Sequence, residues 1–469
     1  MPEADLVFRP ASELAAGLRR RAFSTVEMVE ALLDRISRIN PTCHAFITVT
    51  REDARRRAAE CDQQLQSGAT ESSFLGIPFV SKDMIDIAGV ETTAGSRVLA
   101  GNVAARNAAV IDSLFAAGAV SLGKANLHEF AYGTTGENSV YGTALNAYDP
   151  SRLACGSSSG SAAAVAHGLA VAALGTDTGG SVRIPAVLNG LVGLKPTFGR
   201  ISTEGVLPFC WSLDHVGLIT RAVRDCADLL TACVGAKDFP PVPDASLTSG
   251  KNALSGLRVG IPRGYYWENA DPEVLAAGEG AVRCLERAGA LVRPVELPDP
   301  SQARTVSLTI QMPEALSFHS QYLKDRSDLY GEDLRSGLAL GQFILAEHYV
   351  RARRFLSVYR AQMKAIFEAI DLIVTPATPV PAPPIGTTSL DSGAGEEPVG
   401  NVLARYTSFF NMSGNPALTL PCRMHSTGLP IGVQLVGPLW NEEIVLRAAA
   451  TIEAEFSLEI PLPPLRPAS

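Results

Sequence analysis

The sequence is short of the residues that build metal centres, disulfide frameworks and nucleic-acid surfaces. Its seven histidines lie far apart. With no Cys or His cluster at ligand spacing, no metal and no cofactor is expected. The eight cysteines, at 43, 61, 155, 210, 226, 233, 284 and 422, form no Cys-x-x-Cys pair. A chain of 469 residues does not need such staples, so the thiols are expected to be reduced and mostly core filler. Basic charge is not in excess: 40 Lys and Arg face 48 Asp and Glu, a net charge of −8. That leaves no broad cationic surface for a phosphate backbone and excludes nucleic acid as a partner. The N-terminus is acidic and lacks the basic and apolar regions of an export signal, so a cytoplasmic location is expected. The longest weakly polar run, 162–175, is broken by His167 and falls short of the roughly 20 apolar residues of a membrane span. No membrane association is expected.

What is present fits a compact globular enzyme: 46% hydrophobic and 19% charged residues, with 41 Gly and 31 Pro. Ser24-Thr25-Val26-Glu27 is a capping box, and Val29, Leu32, Leu33, Ile36 and Ile39 then recur at helical spacing to Asn40. Short apolar runs at 77–80, 119–122, 257–261 and 372–375 are bounded by Gly, Pro or polar residues and separated by helical segments such as 108–117. This alternation predicts an α/β fold. Between 133 and 205 the composition shifts to Gly, Ser, Thr and Ala. The helical pattern at 162–174 and the apolar stretch at 182–194 argue against a linker and for an active-site core. Residues 238–255 and 381–400 are expected to be loops.

Several motifs match in part. Gly118 to Lys124 follows the phosphate-loop pattern until Ala125, which lacks the hydroxyl that would hold Mg²⁺. Ser121 and Lys124 have the Ser-x-x-Lys spacing of penicillin-binding enzymes, without the partner motifs. His128-Glu129 begins a zinc-protease pattern that fails at Tyr132. Gly156, Ser158 and Gly160 spell a nucleophile elbow, but 146–152 before it reads as a turn rather than a strand.

Three elements remain: Lys82 directly after the apolar run 77–80, the serine cluster 157–161, and Gly175 to Arg183, which contains Ser181. Together they resemble the amidase signature family, in which two serines stand at a fixed interval. Ser157 and Ser181 are 24 residues apart, as that interval requires. The resemblance extends over most of the chain, from Gly118 through 193–197 and 214–217 to 415–434. It implies a twisted, mixed β-sheet core surrounded by α-helices in a single domain over 1–469. Within it lie an N-terminal helical segment to about residue 70, a signature core at about 71–235, and a part at about 256–469 that completes the sheet.

Carried onto this chain, the resemblance makes Ser181 the nucleophile, Ser157 the bridging serine and Lys82 the general base. The chemistry suits these residue types. A serine hydroxyl attacks poorly until a base takes its proton, and with no histidine at hand the base must be an amine. At an ordinary pKa of about 10.4 only about 0.4% of a lysine is neutral at pH 8, so burial must lower it. The resemblance also implies a cis peptide at Ser157, where Gly156 removes a side chain that would crowd it. Backbone N–H groups of Thr178, Gly179, Gly180 and Ser181 would face the developing oxyanion, with Asp177 and Arg183 bracing the loop. Cys155 and Ser159 stand where glycine is usual. Cys155, Tyr132 and Trp211 are the candidate substrate-pocket residues.

The expected function is hydrolysis of amide C–N bonds through an acyl-enzyme, with aryl amides, carbamates, urea-like substrates and esters as candidate substrates. Residues 314–330 look like free-standing amidases and lack the Arg-Tyr/Phe-Asp-Gly-Val-Arg-Tyr-Gly stretch usual in the alternative, the glutaminase subunit of a transfer-RNA-dependent amidotransferase. A second alternative is an inactive binding protein with the same fold. The expected partner is a small-molecule amide, and a homodimer is the candidate assembly.

Overall fold

The computed structural model describes residues 6–68, 72–247, 249–300, 302–393, 395–456 and 460–464. Its spine is one eleven-stranded mixed sheet. In chain order the strands are β1 (Phe46–Val49), β2 (Pro78–Lys82), β3 (Val120–Ala125), β4 (Ala172–Asp177), β5 (Val192–Lys195), β6 (His215–Thr220), β7 (Arg258–Pro262), β8 (Leu291–Val295) and β9 (Leu372–Pro376). A separate two-stranded ribbon, β10 (Ser389–Asp391) and β11 (Glu396–Pro398), is followed by β12 (Ala417–Met424) and β13 (Pro430–Val436). The spatial order is β1-β3-β2-β4-β6-β5-β12-β13-β9-β7-β8. Parallel pairs lie on the two flanks, β3-β2-β4 and β9-β7-β8. The run from β4 through β6, β5, β12 and β13 to β9 is antiparallel. Helices pack on the sheet, as the mixed α/β expectation requires.

All four apolar runs read from the sequence are strands. The helix with the capping box spans Thr25–Cys43, and both reciprocal hydrogen bonds of the box are formed. Two readings need correction. The helical pattern at 162–174 is helix Ser159–Ala166 followed by β4, because Gly168 in a left-handed conformation (φ 69°) turns the chain back into the sheet. There Phe79, Val80 and Ser81 of β2 pair with Ala172, Ala173 and Leu174. The expected loop at 381–400 contains the β10–β11 ribbon, closed by Ser389 opposite Pro398.

One contact of the sheet fixes the turn that carries Ser181. Gly175 in β4 and Gly217 in β6 are directly opposed, and Val182 lies across them. A Cβ on Gly217 would stand 2.8 Å from both Leu194 O and Val182 Cγ2, and one on Gly175 would stand 2.9 Å from Val182 Cγ2. Two bare backbones thus form the floor on which the residue after Ser181 rests. Gly217→Ala is expected to lower the unfolding free energy by about 1–3 kcal/mol through overpacking against a backbone oxygen that cannot yield. A chemical denaturation midpoint equal to that of the wild type would refute this account of the floor.

Candidate active site

Lys82 ends β2, Thr176 is in β4, and Ser157 is in the loop before helix Ser159–Ala166. All three meet in the interior. Lys82 Nζ donates to Ser157 Oγ at 2.7 Å and to Thr176 Oγ1 at 2.8 Å. The amine is fully buried, and among the described residues no carboxylate reaches it at ion-pair distance. Burial therefore pushes the Lys82 ammonium down from 10.5 to about 7, against the upward pull of Asp214 and Asp177. The Gly156–Ser157 peptide is cis. A Cβ on Gly156 would lie 2.9 Å from Gly136 N and Cα, so the backbone there leaves no room for a side chain. Gly156 N–H donates to Thr134 O at 2.7 Å, and Ser157 O accepts from His128 N–H at 3.1 Å.

Ser181 lies between β4 and helix Arg183–Leu188. It is 7% exposed where Ser157 is sealed. Ser158 N–H donates to Ser181 O at 3.1 Å and ties the two serine segments together. Ser181 Oγ makes no hydrogen bond among the described residues. The Lys82–Ser157 link is closed here, and the Ser157–Ser181 link is open. Of the four residues expected to supply oxyanion donors, Gly180 is committed elsewhere, because its N–H donates to Asp177 Oδ1 at 2.9 Å. The N–H groups of Thr178, Gly179 and Ser181 have no acceptor among the described residues. Thr178 is held by its hydroxyl, which donates to Asp214 Oδ1 at 2.5 Å, while Asp214 Oδ2 accepts from Phe209 N–H and Cys210 N–H at 2.9 and 2.8 Å. Burial nevertheless pushes the Asp214 carboxyl up.

Under this turn lies a dry ion pair. Arg183 and Asp177 are both sealed from solvent, with Nη2–Oδ1 at 2.9 Å and Nε–Oδ2 at 3.0 Å. The guanidinium also donates to Gln434 Oε1 at 2.5 Å, Asn411 Oδ1 at 2.6 Å and Thr407 O at 3.0 Å. Asn411 Nδ2 returns a bond to Asp177 Oδ1 at 2.8 Å. Burial raises the Asp177 pKa, but Arg183 and Asn411 outweigh it and hold the carboxyl below its usual range. The pair expected to brace the loop is thus present, and it reaches β13 and helix Ser408–Ser413 as well.

The pocket residues separate. Tyr132 is partly buried with its ring edge-on to Phe209 at 5.4 Å, and Trp211 is 50% exposed. Cys155 does not line a pocket: it is sealed among Leu153, Ile184 and Leu188, and burial pushes its thiol well up, so it is no nucleophile. Lys124 of the partial phosphate loop is buried against Asp83 at 3.0 Å and Thr92 Oγ1 at 2.7 Å. His128 approaches Asp333 at 3.3 Å, and among the described residues no cluster could hold a metal. All eight cysteines are free and buried. No helix among the described residues is long and apolar enough to cross a membrane. The sequence reading gave no role to Thr176, Asp214, Asn411 or Gln434. Thr176, Asp214 and Gln434 stand in stretches that carried the resemblance, while Asn411 lies outside them and gave no signal.

The family model described as amidase matches residues 27–446. A glutamyl-tRNA(Gln) amidotransferase subunit from Roseiflexus sp. is 38% identical over 468 residues, covering 93% of this chain and 94% of the relative. A solved structure tied to a vestigial protein complex and the evolutionary origins of an s-triazine catabolic enzyme has a TM-score of 0.89 at 34% identity, covering 95% of this chain and 98% of that one. Another, described as an amidase, has a TM-score of 0.87 at 32% identity, covering 96% and 100%.

Arg183→Met would strip Asp177 of its counterion inside a sealed site, and is expected to lower the unfolding free energy by about 3–5 kcal/mol. The acid limb should change too. Because folding depresses the Asp177 pKa, its contribution is present above the unfolded value of about 3.9 and lost as pH falls through the folded value. The variant should therefore lose less stability than the wild type on acidification below about pH 4. Denaturant midpoints at neutral and acid pH test both parts, and an unchanged neutral midpoint would refute them.

Proposed function

We propose that this chain, which belongs to the amidase family of enzymes acting on carbon–nitrogen bonds, cleaves amides with Ser181 as nucleophile, Ser157 as proton bridge and Lys82 as base. One observation carries the reading: Lys82 is sealed with hydroxyls for partners, 2.7 Å from Ser157, so it is an amine poised to be neutral near pH 7. A neutral amine has a lone pair and can accept the Ser157 proton as Ser157 accepts that of Ser181. Ser181 Oγ then bonds to the amide carbon. The oxyanion so formed is met by the N–H groups of Thr178, Gly179 and Ser181, with Gly180 serving to hold Asp177 instead. The proton on Lys82 returns through Ser157 to the departing nitrogen, and water attacks the acyl-serine to close the cycle.

Two readings of the substrate follow. The curated relative belongs to an amidotransferase, and this supports a glutaminase that hands ammonia to a partner better than it supports a free-standing hydrolase. Residues 314–330, which lack the stretch usual in that glutaminase, and the likeness to a solved amidase favour the hydrolase. Ammonia release from glutamine, simple and aryl amides, and carbamates by the isolated chain separates them. Turnover confined to glutamine supports the glutaminase, and turnover of other amides without glutamine supports the hydrolase.

Ser181→Ala is expected to abolish turnover while leaving the fold intact; a folded variant of near wild-type activity would defeat the assignment. kcat/KM should rise with pH through an inflection near 7, because the free enzyme's Lys82 must lose its proton first, and an inflection near 10 would contradict the buried-amine account. Ser157→Ala should slow a primary amide more than the matching nitrophenyl ester by a further factor of roughly 10²–10⁴, since an amine needs a proton to depart and a nitrophenolate does not. Equal losses on both would leave Ser157 with a positioning role only.

A further inference from the structure

A pocket opens at the other end of the helix that follows Ser181. Helix Arg183–Leu188 separates Ser181 from Asn189, and β5 then pairs with β6 so that Val192 stands opposite Thr220. Just past the end of that ladder, Asn189 and Arg221 line one cavity of about 140 Å³, with Phe8, Leu191, Leu420 and Ile460 among its apolar walls. Residues 460–463 close one side of it, where the Tyr148 hydroxyl donates to Pro461 O at 3.0 Å.

Two of the lining residues each bring a buried polar atom that has no partner among the described residues. Asn189 is 1% exposed. Its Nδ2 donates to Ala154 O and Pro185 O, both at 2.7 Å, while its Oδ1 accepts nothing. Arg221 commits Nη1 to Val171 O at 3.2 Å and Nη2 to Val165 O and Ala170 O at 2.8 Å, and its Nε is left without an acceptor. An unpaired buried donor and an unpaired buried acceptor are both unfavourable, and here they border the same space. Glu453 also lines the pocket, with Oε1 accepting from Val223 N–H at 2.8 Å. Its charge is opposite to that of Arg221, so the lining as a whole favours neither a cation nor an anion. Water would satisfy the two atoms without filling the volume: one water takes up about 30 Å³, and those against the apolar wall would lack partners. An apolar cavity of about 150 Å³ holds a molecule the size of benzene.

We propose that this pocket is a binding site for a small uncharged molecule with an apolar body of about benzene size and one head group that both accepts and donates a hydrogen bond, as a hydroxyl does. The head accepts from Arg221 Nε and donates to Asn189 Oδ1, so one oxygen completes both residues. A carboxylate has no proton for Asn189 Oδ1, and a hydrocarbon satisfies neither atom. Asn189 also holds Ala154, two residues before Gly156, and Pro185, four residues after Ser181. The occupant therefore shares a partner with both serine segments. Nothing in this site depends on which bond Ser181 cleaves.

Phenol is the probe, since it has the body and the head and no bond that an amidase cleaves. Calorimetry on the full chain compares it with anisole, which accepts but cannot donate, with toluene, which does neither, and with benzoate. The wild type is set beside Ala166→Leu and Arg221→Lys. Ala166 lines the pocket, and leucine there fills it without removing either polar atom, whereas lysine keeps the charge of Arg221 and loses Nε. Phenol is expected to bind saturably to a single site, with anisole, toluene and benzoate each weaker by about 10- to 100-fold. Ala166→Leu should weaken phenol binding by at least about tenfold, and Arg221→Lys should do so by about tenfold while toluene changes by less than about twofold. Phenol should also raise the denaturation midpoint of the wild type and not that of Ala166→Leu, because it binds only the folded chain. Should Ala166→Leu not fold, the phenol-to-toluene ratio in Arg221→Lys carries the test. No saturable phenol binding would mean that the pocket holds water only and would overturn the proposal. So would toluene or benzoate binding as tightly as phenol, an affinity for phenol unchanged in Ala166→Leu, or a phenol-to-toluene ratio unchanged in Arg221→Lys.

Discussion

Among the cations sealed in the interior around Ser181, Arg183 and Lys82 are treated in opposite ways. Arg183 is given Asp177 in a two-point pair, and it stays a structural charge. Among the described residues Lys82 is given only the hydroxyls of Ser157 and Thr176, which can accept from an ammonium but cannot neutralise it. Desolvation then decides its state, and the proton is held only weakly. The folded chain therefore binds fewer protons than the unfolded chain between about pH 7 and the ordinary lysine value, so the stability contribution of this site rises with pH across that window. The unpaired amine and the rigid brace both follow from Asp177 pairing with Arg183 rather than with Lys82.

Asp177 is used to the full. Its two oxygens meet Arg183, Asn411 and the N–H groups of Gly180 and Val182. This fixes the turn 178–182 from below, while Val182 rests on the opposed glycines of β4 and β6. Thr178 and Thr407 hold the turn from the sides, through Asp214 Oδ1 at 2.5 Å and Gly179 O at 2.7 Å. The price is one N–H, that of Gly180. A turn so braced keeps its remaining donors in place before any substrate arrives, which is what electrostatic stabilisation of an oxyanion demands.

Much of this was legible in the sequence because it is carried by residues that chemistry makes scarce. A lysine directly after an apolar run, two serines at a fixed interval and a glycine before the first of them stand out from any background. Lys82 meets Ser157, and Asp177 meets Arg183 beneath the turn that carries Ser181. Cys155 was misplaced because sequence adjacency to Ser157 says nothing of which way a side chain turns, and it turns into an apolar cluster. The helix read across 162–174 failed because alanine-rich apolar runs fit a buried strand as well as a helix, and the turn at His167–Gly168 decides between them. Asn411 and Gln434 act across more than 200 residues of chain on Arg183, a distance at which no local pattern reports.

The account turns on the protonation state of one amine, and direct titration of Lys82 tests it most closely. Lysine carrying a ¹³C label at Cε would be followed by NMR against pH, with the Lys82 resonance identified from its absence in Lys82→Met. The account predicts a Cε shift that titrates near pH 7. A Lys82 resonance that stays in the ammonium position up to about pH 10, the ordinary lysine value, would contradict it and remove the base from the proposed relay.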